Sequence, residues 1–327
     1  MALIAAGKLA LALLLVLGGI KGISWHLQAL TGGFFHDLLK RTASSKWKGF
    51  LLGMAATTVI QSSSVITVLA VGFINGGFFS LKQGLVIMMA ANVGTTITAQ
   101  LFTVETKSVL IFAFFLGIFF LCLEVVTRRS FGGEVLLNIA AVLAGIKLMG
   151  TSMEPLSQTE AFHFLIEFSR NAPWKALISG AATSAVLQSS SVTIGMAVVM
   201  VKEGLMKLPE ALGVIMGADL GTCVTSLIAA IGTSISARRL AFGHLFFNMI
   251  TILVVVPFWG YFLELVAITS ADFARQVANA HFFYNMVGVV VMLPLVDSYA
   301  SLLQNTILNR KNVSWRRIIR KTSRKSE

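Results

Sequence analysis

Charge is what this chain has least of. Of its 327 residues only 12% are Asp, Glu, Lys or Arg, about half the share of an ordinary soluble domain. Cysteine is nearly absent too: Cys122 and Cys223 both sit in apolar stretches, which excludes a disulfide framework and offers no metal-ligand spacing. There is no Gly-x-Ser-x-Gly element, and a serine nucleophile would need a base and an orienting partner, so the chain does not read as an enzyme and implies no cofactor. What remains is hydrophobic. The segments 9–20, 49–81, 83–104, 108–123, 176–201 and 240–263 carry no charge at all. A membrane helix needs about 20 apolar residues. These runs make the chain an all-α polytopic membrane protein and exclude disordered, secreted and nucleic-acid-binding classes.

The formal charge of +12 is concentrated at one end, where Arg310, Lys311, Arg316, Arg317, Arg320, Lys321, Arg324 and Lys325 fall. After a hydrophobic segment, such a tail (304–327) belongs in the cytoplasm against anionic headgroups of membrane lipids rather than on nucleic acid. The apolar start lacks a basic n-region and a cleavage site, so it reads as the first helix.

A shift of 127 residues aligns 48–98 with 175–225 without a gap, with 19 identities in 51 positions. Gln61-Ser62-Ser63-Ser64 falls on Gln188-Ser189-Ser190-Ser191, and Gly94-Thr95 on Gly221-Thr222. Upstream, Gly19-Ile20-Lys21 resembles Gly145-Ile146-Lys147 after a one-residue shift. Apolar composition does not place polar residues in register, so this is a duplication. The whole chain, 1–327, reads as a single transmembrane transport domain. Repeat one covers about 8–126 and repeat two about 134–268, followed by a last helix at about 277–303. Loop 37–48 has a net charge of +3 and its counterpart 154–175 a net of −1. The positive-inside rule therefore puts them on opposite sides, as two inverted-topology repeats. The full path has crossings near 3–27, 83–104, 108–126, 135–153, 211–237, 240–268 and 277–303. Segments 49–81 and 176–201 enter and return as re-entrant or broken helices meeting near the bilayer midplane. The N-terminus is then outside and the C-terminus cytoplasmic.

A helix break at membrane depth occurs only inside protein or beside water. The two Gln-Ser-Ser-Ser clusters, with Thr57 and Thr58 before the first, would place hydroxyls and free backbone N–H groups at such breaks. Helix N-termini with these donors bind anions. Serines also serve as small residues between packed helices, but a four-residue cluster duplicated in register favours a site. The second pair of clusters is Asn92-Val93-Gly94-Thr95-Thr96 and Asp219-Leu220-Gly221-Thr222-Cys223. Glycine there permits an unwound backbone, and Asn, Asp and Thr oxygens suit an alkali cation. Asp219, an ionisable group among apolar neighbours, is a functional candidate on cost alone. His244 and Asn248 share one helix face, as do His281 and Asn285. With Thr58, these are expected to support the site.

The doubled QSSS clusters, each followed by a G-A-N-x-G-T-T-like motif, resemble the type II sodium/phosphate cotransporters in their bacterial form. His244-Leu-Phe-Phe-Asn248 and His281-Phe-Phe-Tyr-Asn285 resemble that family's H-x-x-F-N elements. The resemblance spans nearly all of 8–303 and implies sodium-driven uptake of inorganic phosphate across the cell (inner or plasma) membrane. It places phosphate between Gln61, Ser62, Ser63, Ser64 and Gln188, Ser189, Ser190, Ser191. Sodium falls to Asn92, Thr95, Thr96, Asp219 and Thr222, and no other metal is implied. Asp219 and Cys223 depart from the family's usual Asn and Thr. A phosphate dianion among neutral donors is expensive to desolvate, and bound Na+ would supply the missing charge. Lys21 and Lys147 are read as snorkelling toward an interface instead. A transporter of another small anion, a phosphate exporter and a channel are the competing readings. No motif fixes the oligomeric state, and a homodimer stays open.

Overall fold

The computed structural model describes residues 2–31, 45–104, 106–128, 132–160, 168 and 172–307. Among them are fourteen α-helices and no strand. The first stretch contains α1 (Ala2–Thr31), α2 (Lys46–Ile60), α3 (Ser63–Asn75), α4 (Leu81–Gly94), α5 (Thr96–Leu101) and α6 (Thr106–Thr127). The second contains α7 (Gly133–Ser157), α8 (Pro173–Leu187), α9 (Ser190–Lys202), α10 (Leu208–Ala229) and α11 (Ile235–Val255). Then follow α12 (Trp259–Ala267), α13 (Phe273–Met292) and α14 (Val296–Thr306). The starts of α2, α3 and α4 recur 127 residues later as those of α8, α9 and α10. The duplicated sequence thus folds into the same local elements.

Six helical spans are long and apolar enough to cross a bilayer, or seven with the bent pair α13–α14 counted as one. They fall where the hydrophobic runs place crossings, including 81–101 and 208–229, which polar residues interrupt. With 13 residues each, α3 and α9 are too short to cross alone at 1.5 Å per residue. Packing shows where they go. On α10, Gly213, Gly217 and Gly221 meet Pro173–Leu177, Leu177–Ala181 and Ala181 of α8 in ascending order. Hence α8 and α10 run parallel. Only five residues separate the end of α9 from the start of α10, so α9 has returned to the side from which α8 entered. In the first stretch, Gly53 lies against Ile87 and Ala90, and Gly94 against Met54 and Thr57, giving the same return for α2 and α3.

The equivalent helices α1 and α7 run antiparallel. Gly145 abuts Ala12, Gly19 abuts Asn138 and Val142, and His26 pairs with Glu134, so partner numbers fall as those on α1 rise. Small residues let these backbones approach, the usual device where lipid removes the hydrophobic drive between helices. The centre of the fold is α4–α5 and α10, 83% and 72% buried, whereas only 11% of the α6 window is buried. Phe112, Phe115 and Phe119 of α6 are exposed.

Two expectations need correction. The last helix at 277–303 is not straight: α13 and α14 meet at 78°. Pro294 lies in the break between them, where its missing N–H and its ring end or kink a helix, a signal the sequence carries. Nor does glycine unwind the backbone in the second cation cluster, since α10 runs unbroken through Gly221, while α4 and α5 part only at Thr95, which keeps right-handed dihedrals. These glycines serve close packing. A Cβ on Gly94 would come within 2.6 Å of the Met54 carbonyl. The basic tail beyond 307, Lys40 and Arg41 of the first loop, Arg129, and most of 156–169 lie outside the described residues.

Candidate binding site

Each hairpin tip is built by the same short sequence. Gln61 ends α2 in the left-handed conformation (φ 57°), Ser62 is extended (φ −150°), and its Oγ accepts the Val65 N–H at 3.3 Å. Gln188 (φ 51°) and Ser189 (φ −150°) repeat this, with the Ser189 Oγ accepting from Val192 N–H at 3.4 Å. A left-handed residue followed by a serine cap stops one helix and starts the next. The capping hydroxyl takes the third N–H of the new helix. The first two, on Ser63 and Ser64 and on Ser190 and Ser191, are left for a ligand. The left-handed glutamines carry a backbone strain of roughly 1 kcal/mol. Gln188→Gly is therefore expected to raise the thermal unfolding midpoint in detergent by a few degrees.

The two tips share one cavity. All eight QSSS residues line a space of about 710 Å³, together with Thr225 of α10 and Leu17, Ile20, Lys21 and Trp25 of α1. The cavity is large enough for a small hydrated anion with room to spare. Thr98 donates to Gln61 Oε1 at 2.7 Å, and Gln61 in turn donates to the Thr58 carbonyl at 2.5 Å, which fixes that amide. Thr98 and Thr225 are repeat partners 127 residues apart, so the internal alignment marks both although neither belongs to the Gln-Ser-Ser-Ser clusters. Lys21 lies in the cavity wall, where the sequence alone favoured snorkelling; Lys147, also exposed, is not among the lining residues.

The cation candidates divide. Thr95 is buried behind the cavity wall and touches a lining residue, its Oγ 3.3 Å from the Ser191 Oγ across the two copies. Thr222 is held within its own copy, 2.7 Å from the Ser184 Oγ, and Thr96 donates to the Val93 carbonyl. Thr58 lies 3.5 Å from the Gly94 carbonyl.

Asn92 and Asp219 form a second, buried group with three of the four supporting residues on α11 and α13. Asn92 donates to Asn248 Oδ1 at 2.8 Å. Asn248 reaches the Asp219 carbonyl at 3.2 Å and the Cys223 sulfur at 3.1 Å. Asn285 donates to Asp219 Oδ2 at 2.9 Å, and His281 Nε2 stands 3.4 Å from the same oxygen without hydrogen-bond geometry. His244 sits beside this group, its Nδ1 3.2 Å from the Ser226 Oγ. Asn285 Oδ1 is buried with no partner. A carboxylate and an orphaned amide oxygen on facing helices are hard donors of the type an alkali cation takes. Asn248 and Asn285 touch Asp219 directly.

Several known proteins are similar to this chain in sequence. YqeW of Bacillus subtilis, an uncharacterised protein, is 28% identical over 213 residues, 64% of this chain and 68% of its own length. The "Putative inorganic phosphate export protein YjbB" of Escherichia coli K12 is 25% identical over 227 residues, 69% of this chain but 42% of that protein. Sodium-dependent phosphate transport protein 2A of Mus musculus is 31% identical over 160 residues, 43% of this chain and 25% of that protein. The chain thus spans less than half of the relatives whose names carry an activity. No solved structure matches it significantly. The profile described as Na+/Pi-cotransporter matches twice, over residues 15–151 and again over 142–289. One match falls on each copy of the duplication and together they cover most of the molecule, so this protein belongs to the Na+/Pi-cotransporter family.

Proposed function

We propose that this member of a phosphate-transport family is a sodium-coupled symporter of inorganic phosphate, working in the uptake direction across the cell membrane. Family membership makes the chain a transporter rather than an enzyme, in keeping with its lack of a nucleophile motif. The observation that carries the reading is the shared cavity, in which two helix starts from different copies present the QSSS residues to one space. Phosphate binds there to hydroxyls and free N–H groups. Sodium binds beside it through Thr95 and at the buried group around Asp219, Asn248 and Asn285. Each ion then tightens the binding of the other by linkage. The antiparallel setting of α1 and α7 supports two inverted copies, which alternate access by moving against each other. The basic tail lies on the cytoplasmic side.

Uptake of radiolabelled phosphate into proteoliposomes tests this. An inward sodium gradient is expected to drive accumulation, and Ser63→Ala or Ser190→Ala to reduce it about tenfold, the loss of one charge-assisted hydrogen bond. Uptake indifferent to the gradient would overturn sodium coupling. Similarity to a protein named for phosphate export favours one second reading, in which the same site releases phosphate outward. Preloaded vesicles that lose label down a sodium-independent path would select it. Competition by arsenate, sulfate and dicarboxylates reads the anion, and a conductance linear in voltage would mark a channel.

A further inference from the structure

The cavity holds one ionisable side chain among its described lining residues, Lys21. We propose that Lys21 is the charged ligand of the anion, a role the serine clusters cannot fill; this rests on the reading of the cavity as a phosphate site. Its placement is not accidental to the chain. Leu17, Lys21 and Trp25 stand four residues apart and form one stripe of α1, and all three line the cavity. The opposite stripe is locked to α7. A Cβ on Gly19 would lie 2.7 Å from the Asn138 carbonyl, Gly22 is as tight against the Asn138 side chain, and His26 pairs with Glu134. Those contacts turn the other face of α1 toward α7 and leave Lys21 on the face that lines the cavity. No acidic residue lines the space to compete for the ammonium, and no ion pair holds Lys21 among the described residues.

The electrostatic need is plain. Hydroxyls and backbone N–H groups bring partial charge only, so a phosphate dianion in their company loses more hydration than it regains. One ammonium halves the charge left for sodium to neutralise. It also sets a preference, because a doubly charged oxyanion gains more from a fixed cation than a singly charged one of the same shape. The repeat equivalent, Lys147, lies outside this cavity.

Phosphate binding to the purified full chain in detergent, read with radiolabelled inorganic phosphate, tests the assignment beside the KM for uptake in proteoliposomes. Lys21→Met is expected to raise the dissociation constant and KM at least about tenfold, the scale of one hydrogen bond to a charged group, with the maximal rate less affected. Lys21→Arg keeps both within a few-fold. For chemical rescue, Lys21→Cys is made with Cys122→Ser, which removes the exposed native thiol and leaves the buried Cys223. Aminoethyl methanethiosulfonate, which restores a cation, is expected to restore binding, and methyl methanethiosulfonate is not. A folded Lys21→Met protein with wild-type affinity, rescue by both reagents alike, or an equal loss in Lys147→Met would each overturn the role. Wild-type protein that binds no phosphate would instead remove the phosphate reading beneath it.

Discussion

Asp219→Ala is expected to lower sodium-driven phosphate uptake about a hundredfold, equivalent to roughly 2.7 kcal/mol. Asp219 is 5% exposed on α10, and its carboxylate accepts from Asn285 with His281 alongside. Removing it deletes the one carboxylate of the buried group and leaves one N–H of the Asn285 amide unpaired, its other bond going to the His281 carbonyl. An unsatisfied buried donor costs about 1–3 kcal/mol by itself, which adds to the lost attraction for a cation. Asp219→Asn separates charge from shape. The amide keeps an oxygen where the type II cotransporters usually carry Asn, so transport is expected to persist with a weaker sodium half-saturation. Sodium-activation curves in proteoliposomes decide the matter: an Asp219→Ala protein with wild-type rate and sodium dependence would remove the carboxylate from the mechanism.

Gly217→Val is the second large effect, and it acts on assembly. A Cβ at Gly217 would fall on the Leu177 carbonyl and lie 2.8 Å from the Ala181 nitrogen. Both are backbone atoms of α8 and cannot turn aside. Valine adds two methyl groups to that clash, so α8 and α10 must separate along the whole Gly213–Gly217–Gly221 stripe. Overpacking in a tight interface costs about 1–3 kcal/mol, occasionally more; here loss of the monodisperse species on size exclusion is expected, with Gly217→Ala showing a lowered thermal midpoint. Gly72→Ala on α3 is the control, because nothing lies within 4 Å of its added Cβ. A Gly217→Val protein as stable as Gly72→Ala would show that the helices do not need this approach.

Much of the fold and part of the site were legible in the residues. The crossings follow from hydropathy because each run is judged against lipid segment by segment. The hairpin breaks follow from Gln61-Ser62 and Gln188-Ser189, since a cap is a local hydrogen bond within a few residues. The second cation cluster was only half legible. Asp219 stood out by its charge among apolar neighbours, but Asn285 and Asn248, 66 and 29 residues away in sequence, were legible only as support for the site and not as its direct contacts. The glycines of the two clusters were misread for a related reason: the same missing Cβ permits unwinding or close contact, and only the neighbour at Met54 or Ala181 distinguishes them.

Composition, periodicity and repeat therefore settled the solvent, the number of long apolar spans, the duplication and the positions of the two serine caps, all of which are terms evaluated along the chain. Tertiary structure decided which caps face one another across a shared space. It also decided which of the two Gly-Ile-Lys lysines reaches that space and how the Asp219 carboxylate is partnered. Those outcomes depend on distances between helices brought together from far apart in sequence, and packing in three dimensions sets them where no local propensity can.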